Sequence, residues 1–127
     1  MKIIFYGTPV TKKNSMQMFR GKNGRVFPAP SKQYKEYEQS CLKQLMPKHI
    51  QRIDSRVNVC CVYYMPTRRR VDLVNLIESS CDILVRGGVL ADDNCKIVAG
   101  HDGSKVRYDK DHPRAEIEIL PIMEVSI

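Results

Sequence analysis

Residues Val57-Asn58-Val59-Cys60-Cys61-Val62-Tyr63-Tyr64-Met65 form a nearly unbroken run of β-branched, cysteine and tyrosine residues, closed by Pro66. Such a run predicts a central strand buried on both faces. From Asp72 to about Arg86, the residues Leu73, Leu76, Ile77, Cys81 and Leu84 recur at helical spacing and mark the buried stripe of a helix. Gly87-Gly88 stops that helix, and Lys96 to Ala99 then predicts a short strand.

Upstream, Ser31 caps a helix whose core positions are Tyr34, Tyr37, Cys41, Leu42 and Leu45, ending before Pro47. Lys2 to Tyr6 reads as a strand ended by Gly7 and Pro9. Between them, Met16 to Arg20 and Arg25 to Phe27 flank Gly21-Lys22-Asn23-Gly24, the pattern of a flexible basic hairpin. Downstream, Glu116-Ile117-Glu118-Ile119 alternates as a strand with one wet face, after a turn at Asp102-Gly103-Ser104. The order β, hairpin, α, β, α, β, β predicts an α+β fold: a small mixed β-sheet with two helices packed against it, in a single domain over residues 1–127.

Composition narrows the function. A hydrophobic fraction of 43% argues against disorder. No stretch approaches the roughly 20 apolar residues that span a bilayer, and Met1-Lys2-Ile3-Ile4-Phe5 is too short for a signal peptide, so the expectation is a cytoplasmic protein with no membrane partner. The cysteines Cys41, Cys60, Cys61, Cys81 and Cys95 are odd in number and lack a C-x-x-C pair, which predicts reduced core residues and neither a zinc site nor a disulfide frame. His49, His101 and His112 have no ligand spacing and read as lone surface histidines.

Charge is distributed unevenly. Residues 1–70 hold fifteen Lys and Arg against three Asp and Glu, and residues 71–127 hold six against eleven. A basic half facing an acidic half suggests a polyanion held beside carboxylates.

The chemistry concentrates in Arg68-Arg69-Arg70-Val71-Asp72-Leu73-Val74-Asn75, followed by Glu78, Asp82 and Asp92-Asp93. Arginines offer phosphate contacts beside potential metal ligands. A helix from Asp72 to Gly87 runs about 22 Å, and six extended residues from Gly88 to Asp93 return about 20 Å. The chain can therefore bring Asp92 and Asp93 beside the first turns of the helix. Carboxylates so gathered repel by roughly 4 kcal/mol per pair at about 4 Å and an effective dielectric near 20, which calls for a cation or a raised pKa. Hard oxygen donors favour Mg²⁺ over transition metals. Each residue also has a plainer reading: Asp72 as a helix cap, Asp92-Asp93-Asn94 as a turn.

At these residues the chain resembles the RusA family of Holliday junction resolvases. The likeness rests on Pro9 followed by Lys12-Lys13-Asn14, the arginines before Asp72, the Asp-Leu-x-Asn helix start, Gly88-Val89-Leu90, the Asp92-Asp93 pair and a closing β-hairpin. The resemblance implies a homodimer that binds four-way junctions and makes paired nicks, using Mg²⁺, or Mn²⁺ in its place. It implies metal binding by Asp72 and Asp93, with Asp92 as the first of the paired acids and Asn75 as the helix asparagine; the residues themselves add Glu78 as an expected catalytic and metal ligand, and Lys12, Lys13, Asn14, Arg68, Arg69, Arg70 and Asn75 as expected DNA contacts. Two positions depart from the family pattern: its second helix aspartate is Val74 here, and its helix lysine is Glu78. Glu78 lies one turn beyond Val74 and restores a carboxylate nearby, while Lys96 or an N-terminal lysine is left to replace the cation. The rival expectations are a junction-binding protein with weak or no nuclease activity, and a generic basic domain binding RNA or protein.

Overall fold

In the computed structural model, which describes residues 1–12 and 16–123, the chain forms seven strands and two long helices. They follow in the order β1 (Lys2–Tyr6), β2 (Met16–Arg20), β3 (Val26–Pro30), α1 (Lys32–Gln44), β4 (Val57–Met65), α2 (Leu73–Arg86), β5 (Val98–Gly100), β6 (Lys105–Tyr108) and β7 (Arg114–Pro121). Strands β1, β7, β4 and β5 are neighbours in that order, with β6 also on β4; β2 and β3 form a separate ribbon. The mixed sheet with two helices is the α+β arrangement expected from the sequence.

Both helices cover one face. Across the sheet the register aligns Phe5 with Ala115 and Ala115 with Tyr63, and Ile3 with Ile117 and Ile117 with Cys61. All six side chains are fully buried, and they form one core with Tyr34, Tyr37 and Cys41 of α1 and Leu76, Ile83 and Leu84 of α2. Ala115 is small because it lies between two aromatic residues in its row. The opposite face carries Lys2, Glu116 and Arg114, which form a charged ladder: Lys2 Nζ lies 3.0 Å from Glu116, and Arg114 Nε lies 2.7 Å from the same carboxylate. Arg114 also stacks 3.8 Å over the Tyr64 ring.

Four expectations change. Strand β4 is central, but its burial alternates, with Val57, Val59, Cys61 and Tyr63 buried and their neighbours only half-buried, because helices pack on one side alone. The closing hairpin does not form, since β6 pairs parallel with one edge of β4 while β7 pairs antiparallel with the other. His49 is buried and accepts the Met46 N–H through Nδ1 at 3.0 Å, so it is a structural residue of the turn after α1. Cys41, Cys61 and Cys81 are buried free thiols as expected, whereas Cys95 is exposed.

Two contacts fix α2 against the rest. The Tyr63 hydroxyl of β4 lies 2.7 Å from Ser80 Oγ, and Arg86 pairs with the buried Glu38 of α1. At its end, a Cβ on Gly87 would collide with Leu45, and Gly88 adopts φ +79°, a conformation that glycine tolerates best. The chain then reverses. Val89 and Leu90 are fully buried, and Arg52 and Ile53 donate to the carbonyls of Gly88 and Val89 at 2.8 and 3.0 Å. This short pairing aims the residues that follow back along α2.

A candidate acidic cleft beside an arginine run

The reversal brings Asp93 to α2. A cleft of about 320 Å³ is lined by Val74, Ile77, Glu78 and Cys81 of the helix, by Asp93 of the returning segment, and by Val98 and His101 at the sheet edge. Asp82, one turn beyond Glu78, stands near enough to feel both neighbours. Its carboxyl is raised above the ordinary carboxylate range, first by burial and then by repulsion from Asp93 and Glu78, with Lys12 pulling the other way.

The remaining acids have local partners. Asp72 caps α2, accepting the Asn75 N–H on Oδ1 at 3.2 Å, and it does not line the cleft. Asp92 closes its own turn: one oxygen accepts the Asp93 N–H at 2.7 Å and the other the Asn94 amide at 3.0 Å. Those bonds hold its carboxyl below the usual range. Asp92 therefore shapes the turn from which Asp93 is presented. Asp72→Ala is expected to cost about 1 kcal/mol of stability, whereas Asp72→Asn, which still caps, should melt close to the parent; thermal unfolding distinguishes them.

The basic residues lie on three segments. Arg68 to Arg70 are exposed just before α2, with the Arg68 guanidinium 4.5 Å over the Tyr108 ring. The β2–β3 ribbon carries Arg20, Lys22 and Arg25 around stacked Phe19 and Phe27, 6.2 Å apart. Lys12 donates its N–H to Ser79 Oγ at 2.9 Å and places Nζ 4.0 Å from Asp82. Lys13 and Asn14 lie outside the described residues.

Asp82, named in the acidic run but given no role there, stands beside the cleft, and its spacing could have placed it, since positions 74, 78 and 82 share one helix face. One cleft residue was passed over altogether. His101 had no such signal. Its Nδ1 lies 2.9 Å from the Val59 carbonyl, and a carbonyl only accepts, so that nitrogen carries the proton and the ring is fixed at the cleft wall. Burial pushes the Cys81 thiol up to about 12, which excludes it as a nucleophile at neutral pH.

Glu78, Asp82 and Asp93 supply the hard oxygens that Mg²⁺ prefers. Among the described residues, no three of His, Cys, Asp and Glu converge closely enough to enclose an ion alone. That donor set suits a Mg²⁺ held by one or two carboxylates, waters and a substrate phosphate.

The family model described as Endodeoxyribonuclease RusA matches residues 6–120, from the end of β1 almost to the end of β7. A protein of Aquifex aeolicus (strain VF5), the crossover junction endodeoxyribonuclease RusA, is 29% identical over 104 residues, which cover 81% of this chain and 79% of the relative. The match takes in the arginine run, all of α2 and the reversal that delivers Asp93, so the same stretch that builds the cleft also places the protein by descent: the chain belongs to the RusA family of endodeoxyribonucleases.

Proposed function

We propose that this protein is a Mg²⁺-dependent endonuclease that binds four-way DNA junctions and nicks them symmetrically in recombination and repair, acting as a homodimer. The observation that carries this reading is the convergence of Asp93 with Glu78, close to Asp82, on a helix entered through three exposed arginines. The arginines would hold the phosphate backbone, and Asp93 and Glu78 would hold the ion, with Asp72 capping the helix that presents Glu78. Held there, Mg²⁺ would supply Lewis acidity toward the phosphoryl group and the attacking water. Paired clefts in a dimer account for paired cuts. The curated relative's name agrees with the substrate.

A second reading, junction binding with weak or no cleavage, is favoured by Val74, which is 69% exposed and puts a side chain without oxygen at the cleft.

Both readings require selective binding, which gel shifts without metal measure. Four-way DNA should bind more tightly than linear duplex of the same sequence. If six or more phosphates are neutralised, affinity should fall by about 10³ or more between roughly 50 and 200 mM salt. Replacing Arg68, Arg69 and Arg70 by alanine should weaken binding to all DNA and flatten that slope. An unchanged slope would remove them from the interface, and equal affinity for both DNA forms would contradict the junction assignment.

A further inference from the structure

We infer that His101 is the base of the acidic cleft: its Nε2 takes the proton of the water that attacks the phosphodiester. This rests on the endonuclease reading above and adds a catalytic residue from the turn between β5 and β6, outside the acidic helix.

The turn is clamped onto β4. The Asn58 side chain spans it, with Oδ1 accepting the Asp102 N–H at 2.8 Å and Nδ2 donating to the Asp102 carbonyl at 3.1 Å. That approach requires Gly100, since a Cβ there would stand 2.9 Å from Asn58 Oδ1. Ser104 closes the turn by donating its N–H to the His101 carbonyl at 3.1 Å, and its Oγ accepts the Cys61 N–H at 3.0 Å. The imidazole itself donates from Nδ1 to the Val59 carbonyl at 2.9 Å. Backbone and ring are thus both fixed, in the wall of the cleft that also holds Glu78 and Asp93. With Nδ1 donating, the neutral ring carries its lone pair on Nε2, a nitrogen with no partner among the described residues.

Among the described residues, four ionisable side chains line the cleft: Glu78, Cys81, Asp93 and His101. Glu78 and Asp93 supply the oxygens that the ion requires. The Cys81 thiol, pushed up to about 12 by burial, keeps its proton at neutral pH. His101 remains. Its nitrogen is a softer donor than the oxygens Mg²⁺ selects, so the ion leaves that lone pair free for a proton. Imidazole is the side chain most often used for such a transfer.

In the reaction one water is consumed. Its oxygen bonds to phosphorus as its proton passes to Nε2, and the bond from phosphorus to the departing sugar oxygen breaks. That oxygen takes a proton from solvent, and the imidazolium later returns one to solvent. The Val59 carbonyl, still accepting from Nδ1, steadies the ring while it is charged.

The test combines cleavage, rescue, affinity, melting and nitrogen NMR. Asparagine at this position retains an N–H donor near the place of Nδ1 and has nothing that reaches the place of Nε2. At saturating protein and Mg²⁺, His101→Asn and His101→Gly should each slow single-turnover cleavage of a four-way junction by at least about 10²-fold. Junction Kd, set by phosphate contacts, should change by less than about twofold. His101→Asn should melt close to the parent. Added imidazole should restore much of the His101→Gly rate and none of the Asp93→Asn rate. In the neutral ring of the parent, NMR should find the proton on Nδ1. A His101→Asn rate close to the parent's, a loss matched by equal losses of affinity and melting temperature, a folded His101→Gly variant that imidazole does not rescue, or a neutral ring protonated on Nε2 would each overturn the proposal. If the parent cuts no junction, the endonuclease reading fails and this role with it; a parent that cuts while His101→Asn keeps pace overturns this role alone.

Discussion

Asp93→Asn is expected to abolish Mg²⁺-dependent junction cleavage while leaving junction affinity unchanged or tighter. The residue reaches the cleft because Gly88 turns the chain, the buried Val89 and Leu90 anchor the return, and Asp92 closes the turn beneath it. Loss of a ligand should cost more than the 10- to 100-fold typical of groups behind a metal's ligands, so a fall of at least about 10² in rate is anticipated. Affinity should hold or improve because one carboxylate fewer repels the phosphate. The substitution also carries a readout independent of activity. Asp93 helps raise the Asp82 carboxyl, so an NMR titration of Asp82 should shift to lower pH in the variant. Parallel losses of affinity and thermal stability would instead make Asp93 a structural residue.

The second large effect is expected at Glu78. Val74 stands where the family pattern has an aspartate, and both Val74 and Glu78 line the cleft opposite Asp93. Side chains four apart on a helix lie nearly above one another and lean toward its start, so the longer glutamate can serve the position its neighbour has lost. Glu78→Gln preserves shape and helix propensity while deleting the charge. Cleavage should fall by on the order of 10²-fold, with melting close to the parent. The double variant Val74→Asp, Glu78→Lys, which restores the family pattern, should recover part of it. If Glu78→Gln cleaves like the parent, the glutamate has not taken over; if only the double variant cleaves, the natural chain is a binder. Asp72→Asn is the control for both: asparagine keeps the cap, so retained melting with cleavage close to the parent is expected of a residue outside the cleft, and lost cleavage would make Asp72 a ligand.

The local features were legible in the sequence, and the long-range ones were not. Strand β1 and both helices carry their own punctuation in Gly7 and Pro9, Ser31, Asp72 and Gly87-Gly88, and the structure keeps those boundaries to within a residue or two. The second arm of the basic hairpin runs on to Pro30, further than its apolar residues suggested, because prolines fit a ribbon edge that donates to no neighbour. Strand β6 was missed because Lys105 to Tyr108 is exposed, and only the free edge of β4 makes it a strand. The acidic half of the chain also divides in a way composition cannot reveal. Glu78, Asp82 and Asp93 gather at the cleft, while Asp109 and Glu116 pair with Arg114 near the open sheet face. Of the site, the return of Asp93 followed from chain lengths alone. The meeting of Lys12 with Ser79 and Asp82 spans nearly seventy residues and depends on tertiary packing.

The most direct measurement is cleavage of an end-labelled four-way junction beside a linear duplex of identical sequence, with and without Mg²⁺, mapped at nucleotide resolution. The predicted result is a pair of symmetric nicks in opposed strands of the junction, dependent on Mg²⁺, with the duplex left whole. Tight junction binding without product at any Mg²⁺ or Mn²⁺ concentration, or equal cutting of the linear duplex, would contradict it.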